Sequence, residues 1–275
     1  MLIDAHQHLW QIGQNGHEWP TPELGVIYRD FVPDDLAAAC AGLDITGTVL
    51  VQSQPCDADT DWMLEVAAAA PLIRGVVGWT DLAAPEAIQR IARLAQRPKL
   101  KGLRPMLQGL PQDDWILRDK VQPALEAMVA HELTFDALVF TRHLPFIDRL
   151  AKQYPDLRII IDHGAKPPLG QPETMTQWRD AIASVAVNPN VTCKLSGLLT
   201  EMASGQGEDI LAPCADHLLT IFGAERLMWG SDWPVVLLKD SYRHWFDWTR
   251  RWLDGKPETV SLMIMGETAR RIYRL

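Results

Sequence analysis

Short runs dominated by β-branched and aliphatic residues recur along the chain, with segments rich in Ala and Leu between them. Eight such runs can be counted: Leu2 to Ala5, Gly47 to Gln52, Ile73 to Trp79, Leu100 to Arg104, Thr134 to Leu138, Leu157 to Asp162, Val191 to Leu195 and Leu227 to Gly230. Thr48-Val49-Leu50-Val51 and Ile159-Ile160-Ile161 are almost continuously apolar, the pattern of strands buried on both faces. Strand-like and helix-like stretches alternate, which predicts a parallel sheet with crossover helices, and eight strands close most simply into a (β/α)8 barrel. Pro33-Asp34-Asp35 opens an Ala-rich helix, and Ala84-Pro85-Glu86 opens one whose Ile88, Ile91, Ala92 and Leu94 are expected to face the barrel. Trp10 to Arg29 and Gly164 to Thr176 are long and rich in Gly and Pro, and are expected to be loops that shape a binding site.

Composition agrees with this reading. A barrel of this kind takes about 250 residues, so the 275 residues fit one domain, 1–275, without leftovers. The net charge of -9, with Lys and Arg scattered, offers no footprint for a nucleic-acid backbone. No apolar run approaches the length of a membrane span, and the N-terminus enters a strand at once, so a cytoplasmic protein is expected. Cys40, Cys56, Cys193 and Cys214 lack C-x-x-C spacing and read as reduced thiols.

The strongest chemical signal is His6-Gln7-His8, directly after the first strand-like run. Residues i and i+2 of an extended chain share a face, so both imidazoles can converge on one ion or one carbonyl oxygen. His163 follows Ile159-Ile160-Ile161-Asp162 at the carboxyl end of the sixth run, on the rim where barrel active sites are built. Asp232, in Trp229-Gly230-Ser231-Asp232-Trp233-Pro234, takes the matching place after the eighth, as an ion ligand, a general base or a cap of the next helix. Asp4 and Asp162 precede the histidines, and alternation is expected to turn their side chains away from the site, into structural roles.

At this point the chain resembles the amidohydrolase superfamily, and within it the amidohydrolase-2 lactonase group. The resemblance runs from Ile3-Asp4-Ala5-His6-Gln7-His8 through Lys101-Gly102-Leu103-Arg104, Arg142-His143-Leu144-Pro145, Asp162-His163-Gly164-Ala165-Lys166-Pro167, Lys194-Leu195-Ser196-Gly197 and Gly230-Ser231-Asp232-Trp233 to Gly266-Glu267-Thr268-Ala269-Arg270. It implies a distorted (β/α)8 barrel that hydrolyses esters or amides, with His6, His8, His163 and Asp232 on the motif positions that act in catalysis and hold metal. Two-metal members carry a lysine after the fourth strand and a histidine after the fifth; here those places read Gly102-Leu103-Arg104 and Phe135-Asp136-Ala137. The resemblance therefore implies one divalent cation, zinc first, or none, the histidines then polarising the carbonyl directly.

The reaction expected is opening of a sugar lactone to its acid, water attacking with Asp232 as general base. No nucleophilic serine is needed, and no G-x-S-x-G elbow occurs. Arg104, His143 and Lys194, polar and near strand ends, are candidates for holding hydroxyls, and Trp10, Trp19, Trp79 and Trp233 for flat walls against a sugar ring. The alternatives are a 2-pyrone-4,6-dicarboxylate lactonase, a non-oxidative decarboxylase of the same group, whose members carry an acidic residue where this chain has His6, and a barrel kept only for binding.

Overall fold

The computed structural model describes residues 1–275. Its eight strands are β1 (Leu2–Gln7), β2 (Ile45–Val51), β3 (Ile73–Gly78), β4 (Leu100–Leu103), β5 (Thr134–Ala137), β6 (Ile159–Ile161), β7 (Val191–Leu195) and β8 (Leu227–Trp229). All pair in parallel and in chain order. The barrel closes just beyond the strand ends, where His8 N donates to Trp233 O at 2.7 Å and Asp232 N donates to His6 O at 2.8 Å. That closure binds the two segments carrying His6, His8 and Asp232 to each other.

Between the strands run α1 (Pro33–Ala39), α2 (Asp57–Ala69), α3 (Ala87–Leu94), α4 (Gln122–Ala130), α5 (Leu144–Gln153), α6 (Pro172–Ala186) and α7 (Leu211–Phe222). After β8 come α8 (Tyr242–Leu253), α9 (Glu258–Leu262) and α10 (Thr268–Tyr273). Pro172 starts α6 at a position where its missing N–H costs nothing, so the loop expected to reach Thr176 ends earlier. Along α3, Ile91 and Leu94 are buried, but Ile88 is 46% exposed and faces water, not the barrel. The four cysteines are free thiols, and no helix is long and apolar enough to cross a membrane.

Alternation within each strand sorts its side chains. Phe135, Ala137, Ile159, Ile161, Cys193 and Leu195 join the large core between the barrel and its helices. Inside the barrel, Ile3, Ala5, Val49, Val51, Val77, Ile160 and Met228 form a second, smaller core, closed below by Ala269, Ile272 and Tyr273 of α10. Above these residues the interior turns polar.

In β1 the alternation breaks. Asp4 pairs with Thr48 and Gln7 with Leu50, so β1 spends three residues where β2 spends two. Such a bulge reverses the phase of the strand and re-aims the residues beyond it. Ala5 and His6 consequently both face the interior, although they are neighbours in sequence.

Candidate active site

His6, His8, His163 and Asp232 meet at the carboxyl ends of the strands. His6 Nε2 and His8 Nε2 are 3.1 Å apart. Asp232 Oδ1 lies 3.7 Å from His6 Nε2, 3.5 Å from His8 Nε2 and 3.8 Å from His163 Nε2. Each imidazole is held from behind. His8 Nδ1 is 2.8 Å from Val51 O, a pure acceptor, so Nδ1 carries the proton and Nε2 presents a lone pair. His163 Nδ1 is 2.8 Å from Ser196 Oγ, and His6 Nδ1 is 3.1 Å from Lys194 Nζ.

Two of the four residues have left-handed backbones, His163 at φ 53° and Asp232 at φ 56°. His163 begins a run in which Gly164, Ala165 and Lys166 are also left-handed, pinned where Trp178 Nε1 donates to Gly164 O at 2.7 Å. Strained backbone of this kind concentrates where a side chain must be aimed against its local preference. Asp232 does not cap the 3-10 turn at Val235–Leu238; no side chain caps it. The loop carrying Asp232 is instead fixed by Asp4, which accepts from Ser231 N at 2.8 Å, Ser231 Oγ at 2.6 Å and Tyr242 Oη at 3.0 Å. Asp4 thus faces outward, as expected, between the inward Ile3 and Ala5, and the bulge after it is what turns His6, two residues on, inward.

Burial lowers His163 to about 4 and holds His6 well below the usual imidazole range, Lys194 adding to the effect at His6. Burial opposes ionisation of Asp232, but His163, His8 and His6 around it prevail and keep it below the usual carboxylate range. Near neutral pH the group is therefore two buried imidazoles free of charge beside a carboxylate, the protonation states a cation takes as ligands. Nitrogen and oxygen ligands about 2.0 to 2.2 Å from a tetrahedral ion stand about 3.4 Å from one another. The distances of 3.1, 3.5 and 3.7 Å among His6, His8 and Asp232 match that spacing, and the cavity side remains open. These residues can hold one divalent cation.

Beneath the group lies a buried ionic network that the sequence did not disclose. Lys194 Nζ is 2.7 Å from Asp136 Oδ2 and 2.9 Å from Asp162 Oδ1, with Tyr273 Oη also on Asp136. Arg104 Nη1 is 3.3 Å from Asp162 Oδ2, and Arg104 Nη2 donates to Gln52 O. Asp162 therefore does not point away from the site as expected. It keeps the inward phase of Ile160, and the left-handed turn at His163 brings the next residue inward too. Burial raises Asp136, whereas Lys194 and His6 overcome burial at Asp162 and hold it ionised well below the usual range.

Above the group opens a cavity of about 510 Å³, lined by His8, His163, Asp232, Arg104 and Trp19 together with Glu18, Gln54, Gln108, Lys166 and Thr200. Lys194, His143, Trp10, Trp79 and Trp233 are not on its wall. Lys194 is fully buried below it. His143 is buried at the start of α5, its Nδ1 accepting from Phe140 N at 3.0 Å. Trp10 donates to Arg29 O at 2.8 Å and packs edge-on against Trp19 and Phe31; Trp233 packs on Phe31, behind the wall. Trp79 is half-buried at the end of β3, its backbone on Thr60 Oγ1. Sequence reasoning passed over Ser196, Asp136, Gln54, Gln108 and Lys166. Of these, Ser196 and Asp136 carried a signal, since each sits in strand phase with Lys194 or at an equivalent strand end.

Residues 3–275 match the Amidohydrolase family. The chain is 46% identical to an L-fucono-1,5-lactonase of Burkholderia ambifaria, over 99% of this chain and 95% of that one. It is 34% identical to an L-fucono-1,5-lactonase of Burkholderia multivorans, over 100% and 96%. Among solved structures, an amidohydrolase of Burkholderia multivorans with bound zinc superposes with a TM-score of 0.94 at 32% identity, covering 100% of this chain and 99% of that one.

Proposed function

The chain belongs to the amidohydrolase family, and on that premise we propose that it opens a sugar lactone, L-fucono-1,5-lactone or a close stereochemical relative, to the corresponding sugar acid. The observation that carries this reading is one ionised carboxylate, Asp232, among three imidazoles at the floor of the cavity, in a chain so similar to L-fucono-1,5-lactonases. A neutral lactone needs its carbonyl polarised and a water deprotonated, and this group can do both.

In the mechanism we infer, the lactone carbonyl lies toward the imidazoles, with the ring against Trp19 and its hydroxyls toward Arg104, Gln108 and Thr200. Asp232 Oδ1 faces the imidazole nitrogens, which leaves Oδ2 to take a proton from water as that water attacks the carbonyl carbon. When the tetrahedral intermediate collapses, the ring C–O bond breaks and the leaving alkoxide recovers the proton from Asp232. A divalent cation on His6, His8 and Asp232, zinc first, would supply Lewis-acid polarisation of the carbonyl. Lys194 lies buried below the cavity, and Trp10 packs behind Trp19 of its wall.

A pH-indicator assay of aldonolactones tests this reading, since each turnover releases an acid. L-Fucono-1,5-lactone is expected to be hydrolysed, and chelation to lower the rate at least tenfold, with zinc restoring it at one ion per chain. Failure to open any aldonolactone would remove the assignment. Full activity in chain freed of metal would mean that the histidines polarise the carbonyl unaided.

His163 provides a second check. Gly197 has φ 66°, and a Cβ added there would stand 2.6 Å from His163 Nδ1. Gly197→Ala should therefore push the ring off Ser196 and lower kcat by about ten- to a hundredfold, the usual effect of a displacement near 1 Å. Unchanged kcat in a folded variant would show that the position of His163 is not critical.

A further inference from the structure

The hydrogen bonds around His6 do not suit the cation that its neighbours suit. Lys194 Nζ can only donate, so His6 Nδ1, 3.1 Å away, is an acceptor and the imidazole proton sits on Nε2. From there it points along the 3.1 Å contact to His8 Nε2, which is free to accept because the proton of His8 is on Nδ1, facing Val51 O. Lys194, His6, His8 and Val51 thus form one directed chain of donors and acceptors. A cation on His6 and His8 needs both Nε2 lone pairs, so in the loaded form the proton of His6 must sit on Nδ1.

An acceptor for that proton is already in place. Asp162 Oδ1 is 3.4 Å from His6 Nδ1. It is fully buried and makes no hydrogen bond in this structure. Lys194 Nζ lies 2.9 Å from it, an ion-pair contact without the angles of a hydrogen bond. Its charge is met by Lys194, but it keeps lone pairs that no N–H fills, and the N–H of a His6 protonated on Nδ1 would fill one.

We propose that Asp162 is the positioning residue that holds His6 in the tautomer required by a cation, and that Lys194 holds the opposite tautomer when no cation is bound. One proton changes from Nε2 to Nδ1 through solvent, and the imidazole is neutral in both forms. Lys194 keeps its contacts with Asp136 and Asp162 throughout. The inference rests on the cation reading above but not on the identity of the substrate.

The test needs no turnover. Zinc affinity is measured by chelator competition in the native chain and in Asp162→Asn. The carboxamide must turn its NH2 either toward Arg104 or toward Lys194 and His6, so it cannot replace both acceptor oxygens. Zinc should bind the variant about ten- to a hundredfold more weakly, the range for loss of a carboxylate behind a histidine ligand. Equal affinity in a folded variant would overturn the proposal. Should the variant not fold, nitrogen-15 NMR of histidine-labelled native chain decides: His6 is expected to carry its proton on Nε2 without zinc and on Nδ1 with it. Finding it on Nδ1 in both forms would equally overturn the role of Lys194. A native chain that takes up no zinc would remove the cation reading and this inference together, leaving the lactonase assay to stand separately.

Discussion

Asp232→Asn is expected to leave the barrel intact and to lower kcat on an aldonolactone by about a hundredfold or more, the scale of a general base. The fold should survive because asparagine is among the few residues that accept a left-handed backbone readily, and Asp232 sits at φ 56°. Its backbone N–H to His6 O at 2.8 Å, which closes the barrel, is untouched. The carboxamide has no basic oxygen to take a proton from water, and it is a poorer partner for a cation shared with His6 and His8. Alanine would be a less clean replacement, since a Cβ residue without a polar side chain pays about 1–2 kcal/mol in this conformation. Steady-state kinetics beside a melting curve would check the prediction. Near-normal turnover with an unchanged Tm would mean that another group activates the water.

L-Fucono-1,5-lactone should be preferred over 2-pyrone-4,6-dicarboxylate by at least about a hundredfold in kcat/KM, a difference of about 3 kcal/mol. A dicarboxylate has to replace the hydration of two charges with cations on the cavity wall. The wall offers Arg104 and Lys166, and both are engaged: Arg104 with Asp162 at 3.3 Å and Lys166 with Glu201 at 3.1 Å. Arg142 is off the wall and pairs with Asp113 at 3.0 Å. Asp232 and Glu18 add negative charge to the same space. Hydroxyls meet no such opposition, and Gln108 and Thr200 suit them, whereas the amide of Gln54 is spent on Glu18, Trp19 and Ser53. Competition between the two compounds under identical conditions measures the ratio. The reverse preference would overturn the substrate assignment and leave the barrel standing.

The eight strands, their parallel pairing and the convergence of His6, His8, His163 and Asp232 were legible in the sequence, because they follow from period and position. A buried parallel strand must be apolar nearly throughout, and a polar residue just past its carboxyl end reaches the mouth of the barrel wherever the strand stands. The family resemblance attached a reaction to those positions. What the sequence could not supply were departures from its periods and pairings between distant segments. The extra residue in β1 turned His6 inward while Asp4, two residues before it, faces outward, and the left-handed turn after β6 brought Asp162 and His163 to the same side. Lys194 looked like a group for substrate until the fold set it against Asp136, Asp162 and a histidine 188 residues away. His143 was read as a group for hydroxyls and Trp10, Trp79 and Trp233 as flat walls against a ring, but all four stand off the cavity wall. Local hydrophobic period is written residue by residue, so the sequence determined the strands and their ends. Which charge is neutralised, and which side chain reaches the cavity, depends on neighbours that only closure of the barrel brings within a few ångströms, and the tertiary structure alone decided them.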